Sequence, residues 1–336
     1  MLSNKKILIT GGTGSFGNSF IEYVIRKFHP KKLVIYSRDE QKHFLAQKKW
    51  KGKKFSCLRY LIGDIRDFKR LSFAMNDDID IVIHAAAMKH VPIAEYNPFE
   101  VVKTNIIGAQ NVIEASFENN VERVIALSTD KASSPINLYG ASKLTSDKLF
   151  IAANNYVKKG GTKFSVVRYG NVMGSKGSII PSLLQEKNEG IFTITDKKMT
   201  RFNITMDESI KFILFCLKKM KGGEIFVPKI PSYKLFDLVK AISNKENPKL
   251  NLIGIRPGEK LHEEMISMND ALNTLEFKDY YIIVPNSEWN TKINFNRFFK
   301  SEKSSKKCVP GFSYSSDNNK DFLSVNKIKN LIKKIS

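Results

Sequence analysis

The stretch that most constrains the fold is an apolar run, Lys6-Ile-Leu-Ile-Thr10, followed at once by Gly11-Gly12-Thr13-Gly14-Ser15-Phe16-Gly17. Glycines there let the chain turn tightly and let a pyrophosphate approach the start of a helix, whose free N–H groups and dipole favour an anion. A lone glycine pattern is weak, but between a strand and a helix it predicts a dinucleotide site. The same alternation continues to about residue 170. Strands are predicted at Lys6–Thr10, Leu33–Ser37, Leu58–Ile62, Asp80–His84, Arg123–Ser128 and Phe164–Tyr169. Helices are predicted at Ser15–Lys27, Asp39–Lys51, Phe68–Met75, Pro98–Asn119 and Leu138–Tyr156. Short apolar strands with little polar alternation suit a parallel sheet covered on both faces, so the expectation is an α/β, doubly wound, Rossmann-type fold.

Beyond Tyr169 glycines and prolines punctuate the chain, and helices are predicted at Ser178–Glu189, Asp207–Met220, Leu235–Ser243 and Leu261–Met268. The expected organisation is a dinucleotide-binding region over 1–170, a smaller substrate-binding region over 171–286 partly interleaved with it, and a basic extension over 287–336. That extension carries 11 basic and four acidic residues and ends in a short amphipathic helix, Val325–Ile335.

Composition narrows the function classes. The chain has 55 Lys and Arg against 33 Asp and Glu, a formal charge of +22 that raises the question of nucleic acid. Only ten of the basic residues are Arg, the residue suited to bidentate phosphate and base contacts, and no nucleic-acid-binding motif appears, so a solvated lysine surface is expected instead. No uncharged apolar run reaches the length of a membrane span, and Met1 stands too close to the first strand for a signal peptide, so a cytoplasmic chain is expected. Cys57, Cys216 and Cys308 lack disulfide or zinc spacing, and no metal site is expected.

The spacing of Gly11, Gly14 and Gly17 resembles that of the short-chain dehydrogenase/reductase superfamily, in its extended form. After the second strand, where an NAD site would place a carboxylate, stand Ser37 and Arg38. Arg38 fits the 2′-phosphate of NADP; alternatively it is a solvated helix-start residue with Asp39 as cap. Asp64 resembles the superfamily's adenine-contacting aspartate, or else makes an Asx turn at a strand end. His84 is expected to pack at the end of its strand.

Tyr139 and Lys143 lie four apart on one helix face, a spacing that Tyr23 and Lys27 repeat, so position gives it meaning. Tyr139 follows the fifth strand by about ten residues, where a phenol could reach a substrate hydroxyl beside a nicotinamide. A neighbouring ammonium and an oxidised nicotinamide would both favour its phenolate. An epimerase needs only that tyrosine and the cofactor. A dehydratase also needs a base for the proton on carbon 5 and an acid for the departing oxygen on carbon 6. The adjacent Asp130 and Lys131 offer those two functions.

The segments Leu127–Ala132, Asn137–Lys143, Val167–Asn171, Met199–Phe202, Val227–Pro231 and Gly254–Lys260 resemble the configuration-inverting UDP-N-acetylglucosamine 4,6-dehydratases that begin pseudaminic acid synthesis. The resemblance implies a UDP-sugar substrate, NADP and a homo-oligomer, as a hexamer. It implies catalytic roles for Thr129 on the carbon 4 hydroxyl, Asp130 on the carbon 6 oxygen and Lys131 on the carbon 5 proton, beside Tyr139 and Lys143. Cofactor contacts are implied from Gly11, Thr13, Gly14, Ser15, Phe16, Gly17, Ser37, Arg38, Asp64, Ile65, Ala85, Lys89, Tyr139 and Lys143. Substrate contacts are implied from Lys89, Asn171, Arg256 and Glu259, the last two of which could instead form a surface turn. Retaining enzymes of the dTDP-glucose type carry Asp-Glu at the catalytic pair, and retaining enzymes on UDP-N-acetylglucosamine lack the tyrosine, so Tyr139 points to inversion. The alternative within the fold is a related dehydratase that also epimerises, as in N-acetyl-fucosamine synthesis.

Overall fold

A computed structural model describes residues 1–158, 160–175, 177–285 and 305–334. Its six parallel strands are β1 Lys6–Thr10, β2 Lys32–Ser37, β3 Leu58–Ile62, β4 Ile81–His84, β5 Arg123–Thr129 and β6 Lys163–Tyr169. They lie in the order β3-β2-β1-β4-β5-β6, the doubly wound arrangement. Ile7, Leu8 and Ile9 are all fully buried, as a central strand covered on both faces requires. The register aligns the strand ends: Thr10 pairs with Tyr36 on one side and His84 on the other, and His84 with Ala126. The loops after β1, β2, β4 and β5 therefore open at one edge, at the point where strand order reverses, which is where ligands bind in such sheets.

The covering helices are α1 Ser15–Lys27, α2 Glu40–Lys49, α3 Phe68–Met75, α4 Val91–Tyr96, α5 Pro98–Val101, α6 Gly108–Glu118 and α7 Leu138–Ala153. The single helix expected over Pro98–Asn119 is divided by a π-helical segment, Val102–Ile107, a widening that often marks functional sites.

Later elements serve two cores. The strands are β7 Asn171–Val172, β8 Ile191–Ile194, β9 Thr200–Ile204, β10 Ile225–Pro228, β11 Ser232–Lys234, β12 Lys249–Leu252, β13 Glu264–Ile266, β14 Thr274–Glu276, β15 Tyr280–Ile283, β16 Lys306–Lys307 and β17 Tyr314–Ser315. The helices are α8 Ile179–Glu186, α9 Met206–Lys219, α10 Leu235–Ser243 and α11 Met268–Ala271. β10 joins β6 in parallel, and β15, β14 and β16 continue the main sheet antiparallel. A second core gathers Ile180 and Leu183 of α8, Phe192 of β8, Leu238 of α10, and Ile328 and Ile332 from the helix Val325–Lys333. The amphipathic helix expected over Val325–Ile335 is thus present to Lys333; its final residue, like 287–304 of the expected basic extension and 286 before it, lies outside the described residues.

One expected helix is absent. Leu261–Met268 instead bends and enters β13, which pairs antiparallel with β17. The reason is polar: the Glu263 N–H donates to the Ser316 hydroxyl at 2.9 Å, and its carbonyl accepts from the Ser316 N–H at 2.7 Å. With its backbone groups spent across strands, the segment has none left for an i to i−4 ladder.

Arg168, the largest fully buried side chain, ties the two parts together. From β6 it donates to Met265 O at 3.0 Å, to Asp270 Oδ2 at 3.3 Å and to Asp147 Oδ2 at 3.3 Å. Removing one partner of such a buried set leaves an uncompensated charge, at a cost of about 3–5 kcal/mol. Arg168→Met is therefore expected to lower the urea midpoint by that amount of stability, with an unchanged denaturant slope. A loss below about 1 kcal/mol would show that the pairing is not structural.

Candidate active site

The glycine loop forms the floor of the cleft. Gly11 has φ +66° and its carbonyl accepts from the Gly14 N–H at 2.9 Å. A side chain at Gly17 would overlap the Gly12 backbone, so α1 lies against the loop as no other residue would allow. Gly14 is the N-cap of α1 and gives it no side-chain cap, while the Asn18 amide donates to the Thr13 and Gly14 carbonyls at 2.9 and 2.8 Å. Ser15 and Phe16 form the first turn. The bare helix start and the space kept by glycines fit the pyrophosphate of a dinucleotide.

The adenosine end is built from β2 and β3. The Thr13 and Ser37 hydroxyls lie 2.7 Å apart. Asp39 caps α2 by accepting from the Lys42 N–H at 2.9 Å, and Arg38 is 60% exposed with its guanidinium 3.6 Å from Asp64. Asp39 is the cap and Arg38 stands exposed at the helix start beside Asp64, the arrangement of the alternative reading. Asp64 makes the Asx turn with the Arg66 N–H at 3.0 Å and also takes the Arg66 guanidinium at 2.7 Å. Partial burial works against its charge, yet Arg66 and Arg38 outweigh it and hold the carboxyl below the usual range. The Ile65 side chain is buried beside Gly108, and its carbonyl accepts from Asn111.

After β4, Ala85 follows His84 and the exposed Lys89 lies ahead of α4. His84 packs as expected, its Nδ1 2.8 Å from the Thr10 hydroxyl. Asn105, in the π-helical segment, had drawn no notice in the sequence. Its side chain exchanges both hydrogen bonds with the Met88 backbone, at 2.8 and 2.9 Å, and donates to Ser142 of α7 at 3.0 Å. It fixes the segment after β4 against α7; an Asn among Val101, Val102 and Ile106 was the available signal.

Catalytic candidates converge at the end of β5. Thr129 caps a 3-10 turn, Asp130–Ala132, and donates to Asp130 Oδ1 at 3.0 Å. α7 packs onto that turn, because a side chain at Gly140 would overlap the Lys131 carbonyl. Burial pushes the Tyr139 phenol up to about 12, against the pull of the Lys131 charge and the Thr129 hydroxyl. Burial likewise lowers Lys143, although Asp147 favours its charge.

A chain of charges surrounds the Asp-Lys pair. Lys131 Nζ lies 3.1 Å from Asp130 Oδ1 and 2.9 Å from Glu263 Oε1; Arg201 lies 3.7 Å from Glu263 and 3.5 Å from Glu259. Burial pushes Asp130 up, against Lys131. Burial opposes the Lys131 charge, but Asp130 and Glu263 outweigh it and hold the ammonium above its usual range. For Glu263, Lys131 and Arg201 overcome burial and hold the carboxyl low. Consecutive strand residues face opposite ways, so Glu264 reaches the Ser133 and Ser134 hydroxyls at 3.1 and 2.8 Å while Glu263 reaches Lys131. Sequence reasoning missed Glu263, which lies outside every resembling segment, and gave Arg201 no role although Met199–Phe202 was one of them.

The expected substrate contacts are split. Asn171 stands on β7, directly after β6. Arg256 is exposed and its carbonyl accepts from the Glu259 N–H at 3.0 Å, so the Pro257-Gly258 turn is present. Glu259 turns inward to Arg201 rather than to solvent.

This fold and cleft define a Rossmann enzyme of the short-chain dehydrogenase/reductase type. The chain belongs to the family described as polysaccharide biosynthesis protein, which matches residues 7–285. It is 53% identical over 95% of its length, and 94% of the relative's, to a Campylobacter jejuni protein named UDP-N-acetylglucosamine 4,6-dehydratase (inverting). It is 37% identical to a Rickettsia conorii protein named UDP-glucose 4-epimerase, over 99% of this chain and 96% of that one. The solved structure of Pen from Bacillus thuringiensis is 39% identical, with a TM-score of 0.86 over 100% of this chain and 98% of that one. Among the described residues no helix is long and apolar enough to cross a membrane.

The buried His84 gives a measurable pH signature. Burial, and then the Lys143 charge, depress its pKa from 6.5 to about 3. The unfolded chain therefore takes up a proton below pH 6.5 that the folded chain refuses, and stability falls as pH drops from about 6.5 toward 3. At pH 5 the loss from this group is about 2 kcal/mol. Denaturation of wild type and His84→Gln at pH 7 and pH 5 should show that much less pH dependence in the variant; parallel curves would mean that His84 protonates freely in the fold.

Proposed function

We propose that the chain dehydrates UDP-N-acetylglucosamine with inversion at carbon 5, giving UDP-2-acetamido-2,6-dideoxy-β-L-arabino-hex-4-ulose as the first step of pseudaminic acid synthesis. The observation that carries this reading is the buried Asp130, paired with Lys131 beside Tyr139. A 4-epimerase, the activity named for the Rickettsia relative, has no use for an acid and a base at carbons 5 and 6. The C. jejuni relative's name agrees with the dehydratase reading.

When bound, NADP supplies the hydride acceptor at carbon 4 and the donor at carbon 6. Tyr139 takes the carbon 4 hydroxyl proton, with Thr129 hydrogen-bonded to the same oxygen. Because burial holds the phenol at about 12 even against the Lys131 charge, oxidation depends on further positive charge beside it, from the bound ligand. Lys131 removes the proton on carbon 5, acidified by the ketone at carbon 4. Asp130, whose raised pKa favours the protonated form, gives its proton to the carbon 6 oxygen, which leaves as water. Lys89 and Arg256 supply positive charge for the diphosphate, and Asn171 and Glu259 orient the nucleotide sugar.

Incubation with UDP-N-acetylglucosamine in deuterated water, followed by NMR from the first time points, tests the reaction. The expected product carries one deuteron at carbon 5, hydrogen at carbon 6 derived from carbon 4 of the substrate, and the L-arabino configuration. An initial D-xylo product would refute inversion, and a 4-epimer without loss of water would refute dehydration.

The NADP assignment rests on Arg38, which stands where an NAD site would place a carboxylate. Arg38→Asp should weaken NADP binding roughly tenfold to hundredfold relative to NAD, the worth of a charge-assisted contact. Calorimetry on cofactor-stripped protein measures it, and equal affinity of the wild type for both dinucleotides would overturn the assignment.

A further inference from the structure

The reading of Lys131 as the carbon 5 base meets a difficulty in the structure itself. An ammonium has no lone pair, and Lys131, 3.1 Å from Asp130, lies 2.9 Å from the Glu263 carboxylate, which favours the charged form. Before it can take a proton from carbon it must give one up. Asp130 is the wrong receiver, since it must hold its own proton for the carbon 6 oxygen. Glu263 remains: only 2% of its side chain is exposed, its Oε1 contacts Lys131, and its Oε2 has no hydrogen-bond partner.

We propose that Glu263 is the positioning and proton-accepting partner of Lys131, receiving the ammonium proton so that the amine can act on carbon 5. The proposal rests on the dehydratase reading above and extends it to a residue outside the Asp-Lys motif. One N–H proton of Lys131 passes to the Glu263 carboxylate, leaving a neutral amine and a carboxylic acid. The amine lone pair takes the carbon 5 proton, and the C–H electron pair moves into the ketone's enolate. That pair then forms the bond between carbons 5 and 6 as the C–O bond breaks, with the oxygen taking the Asp130 proton and departing as water. Lys131 is again an ammonium, Glu263 holds a proton and Asp130 is a carboxylate. Because Lys131 touches both, it passes one proton to Asp130 and accepts one from Glu263, restoring the starting state without any outside reagent.

Two features hold Glu263 to this task. Ser316, directly after β17, fixes its backbone through its hydroxyl and N–H. Arg201 lies 3.7 Å from the same Oε1 and keeps the carboxyl oriented. The C-terminal segment thereby reaches the reacting atoms through two contacts, Ser316 to Glu263 and Glu263 to Lys131.

The test compares wild type, Glu263→Gln and Glu263→Asp as full chains with cofactor bound and UDP-N-acetylglucosamine as substrate. Gln keeps the shape and can accept a hydrogen bond from Lys131 but cannot take its proton. Glu263→Gln should lower kcat by about a hundredfold or more, the scale of a lost proton-transfer group, with KM within about threefold. Nicotinamide reduction in a single turnover should persist, whereas deuterium entry at carbon 5 should fall with kcat. Glu263→Asp should recover at least about tenfold over Gln, because the acid is restored on a shorter arm. Wild-type exchange at carbon 5 in Glu263→Gln overturns the proposal, and so does equal loss of carbon 4 oxidation and carbon 5 exchange in both variants, the mark of a purely structural role. Should Glu263→Gln fail to fold, Glu263→Asp decides: carbon 5 exchange slowed while carbon 4 oxidation persists supports the relay, and unchanged exchange overturns it. If wild type fails to dehydrate this substrate, the functional reading fails instead.

Discussion

Five charged side chains, Asp130, Lys131, Glu263, Arg201 and Glu259, run in an unbroken line of contacts from the end of β5 to the loop beyond β12. Taking such groups out of water costs several kcal/mol per ion, and only close pairing offsets it. The line is therefore a constraint on everything around it. β13 must run as a strand so that Glu263, directly before it, is sent inward, β17 must pair with β13, and β9 must carry Arg201 to the same point. Loss of Lys131 would leave the buried Asp130 with no opposite charge in the line, and loss of Glu263 would leave Lys131 and Arg201 with one partner each.

That constraint explains why the late part of the chain is folded into the early part. Arg168 makes a second tie, from β6 to the Met265 carbonyl and Asp270, while Asp147 brings α7 and hence Lys143 into the same set. The Tyr314 hydroxyl completes the seam by accepting from the Ile230 N–H and donating to the Ile230 carbonyl, both at 2.9 Å. A polar seam is less forgiving than an apolar one, because direction and distance both matter. The Asp130–Ala132 turn is consequently held from both sides: α7 packs on one through Gly140, and Glu263 and Glu264, at the start of β13, grip the other.

Much of the first half was legible in the sequence. β1, β3, α1 and α3 fall at the predicted residues, because parallel strands and their helices carry a local signature of apolar runs and capping residues. Asp39 and Asp67 cap their helices as such residues should. The π-helical segment was not legible, since Val102–Ile107 reads as ordinary helix until Asn105 has partners 17 and 37 residues away. The failed helix at Leu261–Met268 has the same origin: two adjacent glutamates suit a helix locally, and only Lys131 and Ser316 pull them into a strand.

The sequence by itself determined the sheet, the glycine loop, and Asp130, Lys131, Tyr139 and Lys143 as candidate chemistry, because each stands at a fixed offset from a strand that local composition already marks, while family resemblance added Thr129. Only the tertiary structure decided the ionisation of those groups. Whether Asp130 is acid or carboxylate and whether Lys131 is ammonium or amine depends on burial and on charges 132 and 70 residues distant along the chain, at Glu263 and Arg201. Electrostatic energy depends on distance through space and on the dielectric between charges, and neither is written in the spacing of residues along a chain.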